Sequence, residues 1–270
     1  MSFLSDELFK KYSDFIYNES GITFNSNNRA VLESRIKDRL RVTGLSTPEE
    51  YYNKVVSSKD ETRDFLDSVT TNLTRFFRNN AHWDIFINHV VPDIIEYKKK
   101  RGERHINIWS AGCSTGEEPY TIAMLLSELL PSEFDFKIIG SDISLTVLLV
   151  AREGFYNDAK VAGIPDKYLE KYFEKVEKGY HIKGFIREKI QFDYHNLKND
   201  SGLRNMDIVF CRNVLIYFDE AAQKATINRL WDSMGSYSYL FIGHSESLFG
   251  MNTGFEFVKT DWGSVYRKRV

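Results

Sequence analysis

INIWSAGCSTGEEPYTIAMLLSELL, residues 106–130, followed by KIIGSDI at 137–143, decides the fold. A short apolar strand runs into a turn holding Gly112 and Gly116, an amphipathic helix follows, and a second strand ends on Asp142. That is the layout of a nucleotide-handling βαβ unit, with an acid about 30 residues after the first glycine. Glycine without a Cβ lets the backbone bend sharply and approach a ligand, and an acid at a strand's carboxyl end can accept from two ribose hydroxyls.

The nucleoside is narrowed by what the turn lacks. There is no G-x-G-x-x-G for a pyrophosphate and no G-x-x-x-x-G-K for a triphosphate, and Gly116 is followed by Glu117 and Glu118. Carboxylates there repel phosphate and suit a cationic nucleoside, which points to S-adenosylmethionine. The competing reading is that two acids in a first helical turn only complement the helix dipole.

The chain has 270 residues, 42% hydrophobic and 27% charged, enough for a main domain and a smaller one. A net charge of -2 gives no global field toward nucleic acid. Cys113 and Cys211 are far apart, which argues against a disulfide framework and for a reducing compartment. Cysteine and histidine spacing gives no metal site, and His244 stands out only by its place after the fifth strand. The acidic start MSFLSDELFKKYS does not read as a signal peptide, and no apolar run reaches membrane-spanning length, so the expected address is cytoplasmic.

The first 70 or so residues read as a small helical bundle: 5–21 capped at Ser5 or Asp6 and ended by Gly21, 25–44 with Leu32, Ile36 and Leu40 inward and Gly44 at its end, and 47–56 with Thr47, Pro48 and Glu50 at its start. A long helix is expected over 82–102. Strands then alternate with helices: 189–196, 206–213 and 239–246, with a closing hairpin from 255–260 and 264–269. The fold class is α/β, a Rossmann-like methyltransferase sheet with an antiparallel last strand, preceded by an all-α domain. The run YFEKVEKGYHIKGF reads as a small β-hairpin insertion at about 171–188. The expected division is a helical domain at 1–71, a linker at 72–82 that contributes to the cofactor site, and a methyltransferase domain at 83–270.

NLTRFFRN (72–79), AGCSTGEEPYTIA (111–123), SDIS (141–144), FCRNVLIYFD (210–219) and GHSE (243–246), in this order behind helices, resemble the chemotaxis receptor methyltransferases, the CheR family, over about residues 5–268. The resemblance implies methyl transfer from S-adenosylmethionine to receptor glutamates, leaving methyl esters and S-adenosylhomocysteine. It places cofactor contacts on Asn72, Thr74, Arg78, Glu117, Asp142, Asn196, Leu197, Arg212 and Asn213. Asp142 would hold the ribose, Glu117 or Asn213 the amino acid part, and Asn196 with Leu197 the adenine. Arg78 and Tyr217 are the candidates for the reacting centre; plain structural alternatives are a helix cap at Thr74, an ion pair at Arg78 and a core aromatic at Tyr217.

Arg29, Arg35, Lys37, Arg39 and Arg41 form a basic stretch, with Arg35 and Arg39 one turn apart. The resemblance implies that Arg29, Arg35 and Arg39 meet the acidic cytoplasmic domains of methyl-accepting receptors; the other reading is a solvated helix face. Some family members tether a receptor's C-terminal peptide on a glycine-rich hairpin, whereas only Gly179 and Gly184 occur here, so no pentapeptide tether is expected. Recruitment to membrane receptor arrays without insertion follows from the resemblance. Two rivals are a nucleic acid or other protein methyltransferase of the same fold, whose N-P-P-Y or D-P-P-Y turn is replaced here by CRNVLIYF, and a non-catalytic cofactor-binding signalling protein.

Overall fold

The computed structural model describes residues 3–270 and divides into two compact units, one with the described residues up to Thr71 together with Ile216–Ala225, the other with Asn72–Leu215 and Thr226–Val270.

The first unit is built on helices Asp6–Ser20, Arg29–Thr43, Pro48–Ser57 and Lys59–Val69. Ser5 accepts from the Leu8 N–H, and Thr47 with Glu50 closes a capping box behind Pro48, so the sequence signals for these starts are realised. Gly21 and Gly44 end the first two helices at φ +79° and +70°, where a side chain would be strained. The fourth helix was not anticipated, although Ser58 caps it and Asp60 and Glu61 occupy its first turn. Tyr12, Ile16, Leu32, Ile36, Tyr51, Val55 and Phe65 interlock in its core. The segment Ile216–Ala225 joins this unit by an antiparallel bridge from Phe218 to Ile22, a 2.9 Å bond from the Thr23 N–H to the Tyr217 carbonyl, and Tyr17 donating to Asp219 at 3.3 Å.

The second unit holds ten strands: β1 (His105–Ala111), β2 (Asp135–Asp142), β3 (Phe155–Tyr156), β4 (Phe173–Val176), β5 (Gly179–Ile182), β6 (Ile190–Tyr194), β7 (Met206–Cys211), β8 (Met234–Ile242), β9 (Glu256–Thr260) and β10 (Gly263–Arg269). Seven form one sheet in the order β6-β2-β1-β7-β8-β10-β9, with β6, β2, β1, β7 and β8 mutually parallel and β10 antiparallel to both neighbours. The chain therefore winds outward from β1 to one edge and returns to build the other half from β7, which puts the ligand crevice beyond the carboxyl ends of β1 and β7. Phe210 and Phe241 stack at 4.5 Å on neighbouring strands, and Trp83 and Phe86 pack on Phe210. Burying each such ring contributes about 2–3 kcal/mol.

The expected helix over 82–102 is interrupted: Asn80–Ile85 and Val91–Lys100 are joined by a π turn at Phe86–Val90. Pro92 in the next turn has no N–H to bond backward, and the wider turn absorbs the missing bond. The inserted hairpin is β4 paired with β5, and β3 from further back in the chain completes it as a three-stranded sheet. A Cβ on Gly179 would lie 2.4 Å from the Tyr156 carbonyl, so the close approach of β3 requires glycine there.

Candidate functional site

Five strand ends converge on the crevice. After β1 the chain turns through Gly112 (φ +77°), Ser114 (φ +49°) and Gly116 (φ +94°) into the helix Glu117–Leu129. A Cβ on Gly112 would press to 2.5 Å of Val214, and one on Gly116 to 2.9 Å of Ala151, so neither glycine can be replaced without moving a neighbour. The turn is sewn to β2 by the N–H groups of Gly112 and Cys113, both donating to the Ser141 carbonyl at 2.8 and 2.9 Å. Asp142 then accepts from the Ser114 N–H at 2.8 Å and the Ser144 N–H at 2.9 Å, which fixes a mostly buried carboxylate beside the turn.

The two glutamates of the bend behave differently from the charge reading of the sequence. Glu117 is fully buried; Thr115 donates to one oxygen at 2.6 Å and the Lys160 ammonium sits 2.8 Å from the other. Glu118 accepts from Ser110 at 2.8 Å and from the Arg212 guanidinium at 3.1 Å. Burial pushes the Glu118 carboxyl up and the Arg212 guanidinium down, each opposed by the other's charge. The bend is thus two ion pairs, and its acids alone do not set up an attracting field.

Arg212 also donates to the Arg78 carbonyl at 2.6 Å and lies 5.2 Å from the centre of the Trp83 ring. Its guanidinium is a brace between the bend and the segment 72–79. That segment is pinned by Phe76 against Tyr156 and Phe173 at 4.8 and 5.5 Å, and by Phe77 against Tyr168 at 4.9 Å. Phe77 and Asn79 hold φ of +52° and +66°, an uncommon conformation for a bulky aromatic, which the packing of its ring sustains. Asn72 accepts on its carbonyl from the Ser114 hydroxyl at 3.3 Å, the Thr74 carbonyl lies 3.4 Å from Lys160, and Arg78 donates back to the Leu73 carbonyl at 2.8 Å.

After β6, Asn196 and Leu197 are half-buried, and the Asn196 side chain accepts from the Lys198 N–H at 3.0 Å. After β7, Asn213 takes φ +61° and donates its N–H to Glu246 at 3.0 Å; the same carboxylate receives the Gly243 N–H. Glu246, Lys160, Tyr156 and Ser114 hold these strand ends together and were not singled out from the sequence, though Glu246 stood in the quoted GHSE stretch and Ser114 in AGCSTGEEPYTIA. His82 is half-buried, with a buried Nδ1 unpartnered among the described residues, and burial followed by the Arg212 charge depresses its pKa to about 4. His244 is exposed.

Asn72, Thr74, Arg78, Glu117, Asp142, Asn196, Leu197, Arg212 and Asn213 all belong to the sheet unit; Tyr217, Arg29, Arg35 and Arg39 belong to the helical unit. On the helix Arg29–Thr43 most of the basic groups are already paired. Arg29 lies on Asp6 at 2.6 Å and Glu33 at 3.1 Å, Arg39 on Glu61 at 2.5 Å and Asp64 at 3.4 Å, and Arg41 on Asp38 at 3.0 Å. Arg35 makes no ion pair among the described residues.

A parallel sheet reversing at β1 and β7, a glycine-bent first turn and an acid-ended β2 define the class of Rossmann-like nucleoside-cofactor methyltransferases. Residues 72–264 match the family description "CheR methyltransferase, SAM binding domain" and residues 7–70 match "CheR methyltransferase, all-alpha domain". The chain belongs to the CheR methyltransferases, and its cofactor is S-adenosylmethionine. It is 36% identical to a chemotaxis protein methyltransferase of Borreliella burgdorferi, covering 94% of this chain and 92% of that protein. With the chemotaxis protein methyltransferase of Escherichia coli K12 it shares 34% identity over 90% of this chain and 85% of the relative. A solved magnesium protoporphyrin IX methyltransferase from Synechocystis PCC 6803 aligns at 16% identity and a TM-score of 0.38, covering 80% of this chain and 94% of that one.

Proposed function

We propose that this enzyme methylates glutamate carboxylates of methyl-accepting chemotaxis receptors, and that the strand-end residues divide the work as follows. The observation that carries the reading is the match of both domains to one family, joined to a crevice whose donors and acceptors suit S-adenosylmethionine. The fit is chemical: Asp142 offers carboxylate oxygens beside two backbone N–H groups for a ribose diol, Asn196 and Leu197 offer an amide and an apolar cover for a base, and Glu117 already holds an ammonium. Asn72, Thr74 and Asn213 complete the rim, with Arg212 holding the bend and the 72–79 segment in register.

When bound, S-adenosylmethionine supplies a methyl group on a cationic sulfur. A substrate glutamate, with an ordinary pKa near 4.3, is ionised at neutral pH and needs no base. The chain's contribution is alignment. Arg78 orients one carboxylate oxygen by a charge-assisted bond and leaves the other to attack. Too firm a grip by Arg78 would stabilise the ground state, so a single bond serves better than a fork. Asp142→Ala should weaken S-adenosylhomocysteine binding about 100-fold, whereas Arg78→Ala should lower kcat with at most about a threefold change in that affinity; calorimetry beside initial rates reads both, and equal binding losses would refute the division.

Receptor capture falls to the helical unit, with Arg35 and Lys37 as the cations of its basic helix outside the ion pairs, supported by Asp6, Glu33, Asp38, Glu61 and Asp64 holding Arg29, Arg39 and Arg41. The reading includes no pentapeptide tether: the β4–β5 turn is Glu177-Lys178 rather than a glycine run, and titrating receptor C-terminal peptides should give no heat of binding. No helix among the described residues is long and apolar enough to cross a membrane. The reading places the enzyme in the cytoplasm, gathered at receptor arrays by its substrate, with no nucleic acid partner. Radiolabelled methyl transfer to receptor cytoplasmic fragments, followed by mild alkali, should release methanol; label that resists alkali would refute a carboxyl ester.

A further inference from the structure

The two glutamates of the bend have counter-ions of different kinds. Arg212 is locked on Glu118: its side chain is 3% exposed and also grips the Arg78 carbonyl and the Trp83 ring. Lys160 reaches Glu117 with a side chain 41% exposed, while the Glu117 side chain is 0% exposed. The root of Lys160 is fixed, because its N–H is received by the Asn157 side chain at 3.0 Å and the adjoining Tyr156 hydroxyl donates to the Thr115 carbonyl at 2.6 Å. Its four-carbon stem is free to swing. A fully buried carboxylate needs a counter-ion, since an uncompensated one is strongly unfavourable.

We propose that Lys160 is an internal competitor for the ammonium of the cofactor's amino acid part: it neutralises Glu117 in the empty enzyme and yields that oxygen when the cofactor arrives. This rests on the reading of Glu117 as the acceptor for that ammonium. Lys160 is thereby a specificity-setting residue that holds down affinity for ligands carrying an ammonium and eases release of the spent cofactor. Its ammonium, 2.8 Å from the Glu117 oxygen and 3.4 Å from the Thr74 carbonyl, marks the place such a group would take. Competition of this kind affects only ligands that bring their own cation.

The test is calorimetry at pH 8 with two probes, S-adenosylhomocysteine, which has the ammonium, and 5′-methylthioadenosine, which lacks the amino acid part. Lys160→Met and Lys160→Gln should each bind S-adenosylhomocysteine about fivefold more tightly, with methylthioadenosine unchanged. Glu117→Gln should weaken S-adenosylhomocysteine binding, and adding Lys160→Met to it should bring no gain. An unchanged or lowered ratio of the two affinities in both Lys160 variants, with Glu117→Gln still weakening binding, overturns the competitor while leaving the Glu117 reading intact. Should Glu117→Gln bind S-adenosylhomocysteine normally, that reading fails and the competitor falls with it. The glutamine variant keeps an N–H donor toward Glu117, so a folding defect in the methionine variant would not decide the matter.

Discussion

The helix Arg29–Thr43 and the bend Thr115–Glu118 carry opposite charge, and each reads in the sequence as an attractor for something outside the chain. In the fold both are largely spoken for from within. Arg39 closes on Glu61, Arg29 on Asp6 and Glu33, Glu117 on Lys160, and Glu118 on Arg212. The difference lies in what the pairing does. On the helix it consumes three cations and leaves Arg35 and Lys37 outside the ion pairs, while at the bend it fixes carboxylates among strand ends where a ligand is expected. A local excess of charge is therefore a poor guide to recognition unless the partners are known, since exposed groups are weakly coupled and buried ones are already compensated.

The comparison breaks most visibly at Arg212. Arg212→Met should lower folding stability by about 3–5 kcal/mol, read from denaturant midpoints, because it leaves the mostly buried Glu118 carboxylate without its cation. Arg39→Met should cost less, about 2 kcal/mol, since Glu61 retains the Tyr51 hydroxyl at 2.8 Å and Lys54 lies 3.9 Å away.

A third measurement sharpens the bend's side of the contrast. His82 has its pKa depressed from 6.5 to about 4 by burial and by Arg212, so the folded state resists its protonation. Its contribution is present above pH 6.5 and lost as pH falls toward 4. His82→Leu should flatten the decline in stability across that window by at least about 1 kcal/mol, read from urea midpoints taken between pH 7 and 4. The smallest effect belongs to Arg35: Arg35→Glu should leave stability within about 0.5 kcal/mol while weakening receptor-fragment capture severalfold in pull-down titrations. Unchanged capture would return the helix to a plain solvated face.

Much of the crevice was legible because strand ends announce themselves. Gly112, Gly116 and Asp142 stand at fixed offsets in one βαβ unit, and the closing pair of strands alternates plainly enough to give the order β6-β2-β1-β7-β8-β10-β9 its antiparallel member. The caps at Ser5 and Thr47 were equally local. What could not be read are pairings across long stretches of chain: Lys160 is 43 residues from Glu117 and Arg212 is 94 from Glu118. Nor does hydrophobic periodicity reveal the π turn at Phe86–Val90, since five residues are too few to show a change of period. The strand Phe155–Tyr156 is two residues long and has no period to detect; it exists because Gly179 lets it approach.

The helical unit is not one contiguous stretch, because Ile216–Ala225 completes it through the Phe218 bridge and the Thr23 bond. A helical unit excised at residue 71 would be short of a piece, and a chimera that swaps this unit between relatives would have to exchange two separate cassettes together. On the reading that this unit captures receptors, drift in that distant loop would be scored as a change in receptor preference, although no codon of the amino-terminal stretch had altered.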